Sequence, residues 1–384
     1  MINWPTKKLG ECLVQFDRGI SWSRKDEGGT IAVLRIPNIQ EGHINLDDLK
    51  HISAKNGNGE LYKNDIVMVA SNGNPDLVGR SALVTEKEKG MRFASFLIRL
   101  RFDNTKLLSQ YAHLFLLTPT FKRELRRKIA TTSGIYNLKK EHIEKIKIPL
   151  PPLEIQKQIV ERLDKIVAAQ KLNDGLIQKT DELFQSLLHK ELNPSGKDWE
   201  MKKLGEVFER IIESLLPTRH PDKEFNFIGL ENIESNTGQL VGVKPTVGKL
   251  IKSTKTVFRE NDVLYGKLRP YLNKVWLADT NGICSTDIWV LRTKKNAISP
   301  LLLSAILRQP QIVAKSSASM AGANLPRANK DVFDKITVSL PPVDEQKQIV
   351  EKLSAAREYK TQLLAQKSKL KELFNSVLSK SFSG

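Results

Sequence analysis

Cysteine is nearly absent from this 384-residue chain. The two present, Cys12 and Cys284, lie far apart and offer neither a disulfide framework nor a metal-like spacing. The six histidines do not cluster, so no zinc site is readable. No apolar run approaches the roughly 18 residues that span a bilayer. The opening MINWPTKKLG has no secretory leader pattern. These absences argue against a disulfide scaffold and a helical membrane protein, and they lead to the expectation of a reducing cytoplasm.

Catalytic signatures are missing too. Gly242 and Gly248-Lys249 resemble a phosphate loop, but the spacing is one residue too long, and Leu250 stands where a magnesium-binding Ser or Thr is needed. No glycine-rich cofactor fingerprint follows a strand, and the chain has no Asn-Pro-Pro-aromatic tetrapeptide. Pro75-Asp76 and Pro221-Asp222 lack the acidic-x-Lys partner of a metal nuclease, because Glu86-Lys87-Glu88-Lys89 has the wrong phase. The reading is of a chain that is not itself an enzyme and holds no metal or cofactor.

What is abundant is positive charge. Lys and Arg number 61 against 43 Asp and Glu, a formal charge of +18. Such an excess suits a polyanionic partner, since Lys and Arg neutralise phosphates and release counterions. No basic helix with a broad apolar face appears, which disfavours a membrane surface.

The strongest positive signal is a repeat. Residues 151–163 read PPLEIQKQIVERL and residues 341–353 read PPVDEQKQIVEKL, identical at nine of thirteen positions. Further matches extend it. Glu182-Leu183-Phe184-Gln185-Ser186 answers Glu372-Leu373-Phe374-Asn375-Ser376, and Ile143-Glu144-Lys145-Ile146 answers Phe333-Asp334-Lys335-Ile336. Trp4 with Lys7-Lys8-Leu9-Gly10-Glu11 answers Trp199 with Lys202-Lys203-Leu204-Gly205-Glu206. Asn64-Asp65 pairs with Asn261-Asp262. Between these landmarks the halves diverge. A period this long marks a domain-scale duplication and not a solenoid.

Each shared phrase begins at a Pro-Pro followed by acidic residues, as at a helix start. In the first, Ile159, Leu163, Ile166, Ile177, Phe184 and Leu187 recur at spacings compatible with 3 and 4; in the second, Ile349, Leu353, Ala356, Leu363, Leu370, Phe374 and Val377 do the same. That pattern predicts a narrow seam between two long, antiparallel, coiled-coil-like helices, each of about 40 residues and about 60 Å. Gln170, Asn173 and Thr180, with Lys360 and Lys367, interrupt the seam, and Asn173-Asp174-Gly175 is a possible kink. The divergent parts hold β-rich runs at Ile66–Val69, Phe96–Leu100, Asp262–Tyr265 and Ile288–Leu291, followed by helical stretches over Ser109–Ala130 and Ser299–Ser316. The expected fold class is α/β (α+β), two globular domains joined by a helical pair in a pseudo-two-fold repeat.

A divergent domain ending in PLPPL-x-x-Q-x-x-I-V-x-x-L, written twice, resembles the specificity subunit of type I restriction-modification systems. The carrying residues are Pro149-Leu150-Pro151-Pro152-Leu153, Gln156, Ile159-Val160 and Leu163, then Leu340-Pro341-Pro342-Val343, Gln346, Ile349-Val350 and Leu353. The run Asp262–Lys274 is similar to a stretch common in that family's target-recognition domains. The resemblance spans essentially the whole chain. It implies target-recognition domains at 1–148 and 196–338, with conserved helical spacer regions at 149–195 and 339–384. It also implies a non-catalytic subunit whose domains each read one half of a bipartite, asymmetric site in double-stranded DNA. The helices would set the spacing and dock two methyltransferase subunits; restriction-translocase subunits would join the full complex. S-adenosylmethionine and ATP would belong to those partners. A stand-alone two-headed DNA-binding regulator is the main alternative, and an interaction scaffold a third.

Base readout favours Arg, Lys, Asn, Gln and Ser on loops or strand ends. In the first domain the candidates are Arg18, Ser21 and Arg24 on an early loop, Asn72, Asn74 and Arg80 after a strand, and Tyr136, Asn137 and Lys139 near the end. In the second they are Arg219, then Lys267, Arg269, Tyr271, Asn273 and Lys274, then Asn324, Arg327 and Lys330. Arg123, Arg126, Arg127 and Lys128 fit phosphate contacts or a solvated helix face better than base readout.

Overall fold

The computed structural model describes residues 4–40, 42–53, 59–132, 134–318, 320 and 325–382. Contacts divide the chain into two units, residues 1–174 with 365–384, and residues 175–364. Each long helix therefore contributes part of its length to each unit. No helix among the described residues is long and apolar enough to cross a membrane.

In the first unit a four-stranded antiparallel sheet runs in the order Leu13–Arg18, Leu97–Phe102, Ile66–Val69, Ser81–Leu83. Ile66–Val69 is buried on both faces because alternate side chains serve different cores. Ile66 and Met68 join Tyr111, Phe115, Phe121 and Leu125 under the helices. Val67 and Val69 join Leu34, Phe93 and Leu97 on the other side. That second core is closed by Glu27–Leu34, which pairs antiparallel with Lys50–Ile52 and parallel with Arg92–Phe93. Thr6–Lys8 pairs with Lys147–Pro149.

The second unit repeats this plan. Its four-stranded sheet runs Phe208–Ile211, Ile288–Thr293, Val263–Gly266, Val275–Leu277. Its second sheet again contains one parallel pair, Phe227–Ile228 with Gly282–Cys284. Glu200–Lys203 pairs with Thr337–Leu340 as Thr6–Lys8 does with Lys147–Pro149. The Asn-Asp landmark has a physical cause. Asn64 and Asn261 sit in the left-handed region at φ 70° and 69°, where Asn is tolerated. Asp65 accepts from Tyr62 N at 2.9 Å, and Asp262 from Arg259 N at 2.8 Å, closing the same turn.

The two stretches expected to be helical are each broken. Ser109–Ala130 resolves into helices Ser109–Leu116 and Pro119–Lys128, then extended backbone at Ala130–Thr132. Thr118 caps the second helix by accepting from Phe121 N, with Pro119 in its first turn. Ser299–Ser316 likewise becomes Pro300–Leu307 and Pro310–Ala318. Proline disfavours α backbone in the residue before it and cannot donate within a continuing helix.

The two shared phrases open helices Leu153–Glu191 and Val343–Phe382, of 39 and 40 residues, and the backbone stays helical through Gly175. In the first unit Gln170 Nε2 donates to Leu370 O at 3.2 Å, and Lys367 lies 2.9 Å from Asp174. In the second, Lys360 pairs with Asp181, and Lys352 with Glu191 at 2.8 Å. Partners descend along one helix as they ascend along the other, so within each unit the segments are antiparallel. The polar interruptions are accommodated: Gln170 and Lys360 reach those partners, Asn173 is buried, and Thr180 donates to Leu176 O. The seam is broader than a helix-to-helix stripe. Leu163, Ile166, Val377, Leu378 and Phe382 belong to the same core as Tyr111 and Phe115. Phe184, Leu187, Leu188, Ile349 and Leu353 pack with Leu302 and Ile306.

The repeated glutamine is a fastener. Gln156 accepts from Leu108 N at 2.9 Å and donates to Lys106 O and Pro151 O. Gln346 donates to Ala297 O and Pro341 O. In each unit one amide ties the helix start to the loop preceding the domain's helices. Gln156→Ala strands one N–H and two carbonyls and should cost about 1–3 kcal/mol. Gln346→Ala, which strands no N–H, should cost less. Urea denaturation of the full chain measures both, and equal losses would refute the fastener argument.

Candidate nucleic-acid interface

Each unit gathers several of the proposed reading residues on equivalent edges, built where the chain leaves the doubly buried inner strand. In the first unit that chain continues into Ser71–Asn72, which pairs with Ile135–Asn137, itself paired with Ala130–Thr132. Asn72 faces Tyr136 and Ser71 faces Asn137 in register. Ser71 Oγ donates to Asn137 Oδ1, and Arg18 Nη1 donates to Ser71 Oγ at 3.4 Å. Asn72 and Asn74 use their side-chain oxygens to fix the loop, accepting from Asn74 N and Asp76 N. Leu138 N donates to Ala70 O, which leaves exposed Lys139 at the start of the following short helix.

In the second unit the equivalent chain, Lys267–Arg269, runs beside Pro326–Ala328. Leu268 bridges to Arg327, Ala328 N donates to Lys267 O, and Arg269 N donates to Pro326 O, both at 2.8 Å. Arg327 Nε donates to Asp287 Oδ1 at 2.9 Å. Arg269 is exposed in the left-handed region at φ 51°, and half-exposed Tyr271 stands two residues on. Among the described residues no hydrogen bond or ion pair holds the Arg269 guanidinium. Lys330 opens the next short helix. A non-glycine residue at positive φ persists only where its surroundings hold it, and such positions concentrate at functional sites.

Other candidates lie apart from these edges. Lys274 Nζ donates to Leu230 O at 2.7 Å, and Asn273 Nδ2 to Asn236 Oδ1 and Arg308 O. Both brace the loop from its inner side. Arg80 donates to Ile39 O at 3.1 Å and lines a small cavity beside Leu125 and Arg126. Ser21 and Arg24 are exposed on the stretch that follows Leu13–Arg18, and Arg219 is exposed in the short helical turn Pro217–Arg219. Asn324 lies outside the described residues. The ion-pair partner Asp287 gave no signal in the sequence, because an acidic residue does not advertise a DNA contact.

The helix Pro119–Lys128 carries five cations in ten residues, with Phe121 and Leu125 turned inward and Arg123, Arg126 and Arg127 outward. Arg126 reaches Asp76 at 2.9 Å, linking this basic face to the Asn72–Asp76 loop. Its counterpart Pro310–Ala318 has one lysine. Together the edges present guanidinium, amide and phenol groups suited to base edges, and the helix presents charge suited to phosphates.

Reactive side chains are muted. Burial pushes the Cys284 thiol up to about 12, far from the thiolate a nucleophile requires. His113 is pushed down to about 4 by burial, opposed by its contact with Ser81 O, so it stays neutral near pH 7. Among the described residues no group of three His, Cys, Asp or Glu could hold a metal.

Comparison with known proteins matches residues 1–180 and 196–372 to the type I restriction modification DNA specificity domain. The type I restriction enzyme EcoDI specificity subunit of Escherichia coli is 26% identical over 58% of this chain and 50% of its own length. The StySPI specificity subunit of Salmonella potsdam is 26% identical over 50% of this chain and 42% of its own. The chain thus spans about half the length of these relatives. The putative MjaX specificity subunit of Methanocaldococcus jannaschii is 22% identical over 92% of this chain and 86% of its own. The crystal structure of a type I restriction-modification S subunit from M. genitalium superposes with a TM-score of 0.62 at 14% identity, over 100% of this chain and 97% of that one. A chain from a type I R-M system structure gives 0.60 at 17%, over 100% and 98%. The family model matches twice, once in each half of the sequence repeat, and the chain belongs to the family of type I restriction-modification specificity subunits.

Proposed function

We propose that this chain reads DNA for a type I restriction-modification complex and does no chemistry itself. Each unit would read one half of a bipartite, asymmetric site. The observation that carries this is the pairing of equal frames with unequal edges. Asn72, Tyr136 and Asn137, with Arg18 reaching Ser71 beside them, stand where the other unit has Lys267, Arg269 and Arg327. Different donor and acceptor sets read different bases. Arg123, Arg127 and Lys139, with Lys330 in the other unit, would contact phosphates.

The long helices would set the gap between half-sites and dock two methyltransferase subunits, and restriction-translocase subunits would join the complete assembly. Helices of about 60 Å are long enough to fix the phase of half-sites that recur about 34–36 Å apart. S-adenosylmethionine and ATP would be bound by the partners.

Co-expression with a type I methyltransferase subunit, followed by methylome sequencing, tests the reading. The expected result is co-purification and one two-part adenine-methylated motif. Tight DNA binding with no methyltransferase bound would favour the stand-alone regulator. Arg269→Ala should weaken or relax one half-site by about 1–3 kcal/mol. An unchanged footprint and affinity would remove Arg269 from the reading edge.

A further inference from the structure

A cavity of about 480 Å³ lies within the second unit, and Lys267, Arg269 and Arg327 are not among its lining residues; the volume is typical of small-molecule sites. Phe184, Val275 and Leu301 give it an apolar floor, and Arg308, Arg357 and Lys360 bring positive charge. Lys360 is paired with Asp181, the one carboxylate in the lining. Neither Arg308 nor Arg357 has an ion pair among the described residues.

Arg308 is held in place without being neutralised. Its Nη1 donates to Thr237 O at 2.6 Å, and its guanidinium stands 5.6 Å from the centre of the Phe184 ring. Its Nε is buried with no partner among the described residues. Asn273 Oδ1, on the same wall, is a second buried orphan. Burial and the neighbouring Arg357 charge hold Arg308 down at about 10, against the opposite pull of Asp181, whose carboxylate is already paired with Lys360, so the Arg308 charge is only partly compensated. Asn236, Gly238 and Asn273 all adopt positive φ around this wall, at 66°, 67° and 49°.

The duplication supplies an internal control. The first unit has Val167 and Gln170 at the repeat offset from Arg357 and Lys360, and Leu117 caps the helix Ser109–Leu116 as Arg308 caps Pro300–Leu307. Those three line a cavity of the first unit that holds Asp47, Glu88 and Asp164 with Lys87, and no arginine. The architecture folds without the three cations, so their presence in one unit is not a requirement of the frame.

We propose that the second unit's cavity binds an oxyanion, a phosphate or carboxylate group carried on an organic body that lies against Phe184. Arginine is suited to such a group because its planar fork donates two parallel bonds. Asn273 Oδ1 offers an acceptor for a hydroxyl of the same ligand.

Calorimetric titration of the full chain with phenyl phosphate, benzoate and benzyl alcohol tests this. One or both anions should bind, with the tighter one identifying the headgroup, and the neutral alcohol should bind far more weakly. Arg357→Ala, at an exposed helix position, should weaken anion binding about tenfold or more, the order of one charged hydrogen bond; Arg308→Gln should do the same. Arg269→Ala should bind as the parent does. The proposal is overturned if neither anion binds, or if Arg357→Ala and Arg308→Gln bind as well as the parent. Loss in Arg269→Ala with no loss in Arg357→Ala would place the anion on the DNA edge and overturn it equally. These readouts need no methyltransferase, so they separate from failure of the DNA-reading proposal.

Discussion

Exchanging residues 196–338 for the matching segment of another specificity subunit should replace one half of the methylated motif and leave the other half unaltered. The graft meets the frame through the strand pairing of Glu200 with Leu340, the packing of Leu302 and Ile306 against Phe184, Leu187, Ile349 and Leu353, and polar ties that can be kept: Trp199 Nε1 to Glu345 at 2.9 Å, Lys197 to Glu345 at 2.6 Å, and Gln346 to Ala297 O. Arg210 with Asp334, two bonds of 2.6 Å, travels inside the graft as a unit. The edge of Lys267, Arg269 and Arg327, proposed above to read DNA, also lies wholly within it. Each mismatched base pair typically costs about 1–3 kcal/mol, so the old half-site should be lost outright. Methylome sequencing of the host reports both halves at once. Change in both halves would defeat the modular reading.

Asp65→Ala should be the most damaging single substitution outside the apolar cores. The Asp65 side chain is 1% exposed and accepts from Arg101 Nε at 2.6 Å, Arg101 Nη2 at 2.8 Å and Tyr62 N. Arg99, 3% exposed, lies 3.7 Å away and also pairs with Asp17. The hydrogen bonds that Arg101 donates to Asp65 are the main reason its guanidinium is held above its ordinary range. Removing the carboxylate leaves Arg101 without its buried partner beside the Tyr62 ring, 4.8 Å away, and leaves Arg99 with Asp17 as its one remaining carboxylate. Breaking a buried pair in this way costs about 3–5 kcal/mol. The counterpart Asp262 serves one arginine, Arg292, through two bonds of 2.8 Å. Arg292 and Arg101 are equally open to solvent, and Asp262 has no buried second arginine paired with it among the described residues, so Asp262→Ala should cost less. Urea denaturation of both variants compares them directly, and an equal or larger loss for Asp262→Ala would contradict the two-arginine account.

Local signals made the frame legible in the sequence. The Pro-Pro starts, the 3–4 spacing and the paired Asn-Asp turns each rest on neighbouring residues, and Ile66–Val69 declared its strand by β-branched content alone. The helix breaks were visible as Pro119 and Pro310, yet the apolar pattern on either side outweighed them. The reading edges were harder. Lys267 and Lys274 look alike in the sequence, but one borders Arg327, sixty residues away, while the other points back to Leu230. Asn serves base recognition and loop bracing equally well, and only long-range contacts separate Asn72 from Asn273. The oxyanion cavity was out of reach for the same reason, being assembled from five separated segments.

The sharing of the long helices has a consequence for synthesis. The first unit draws residues 365–384 into its core, with the Phe382 ring 4.8 Å from Tyr111 and 5.5 Å from Phe115. A ribosome adding about 5–20 residues per second makes the whole second unit before Phe382 emerges. Tyr111 and Phe115 must therefore wait through that interval with an open apolar face. The half of the protein that is translated first is the half that is finished last.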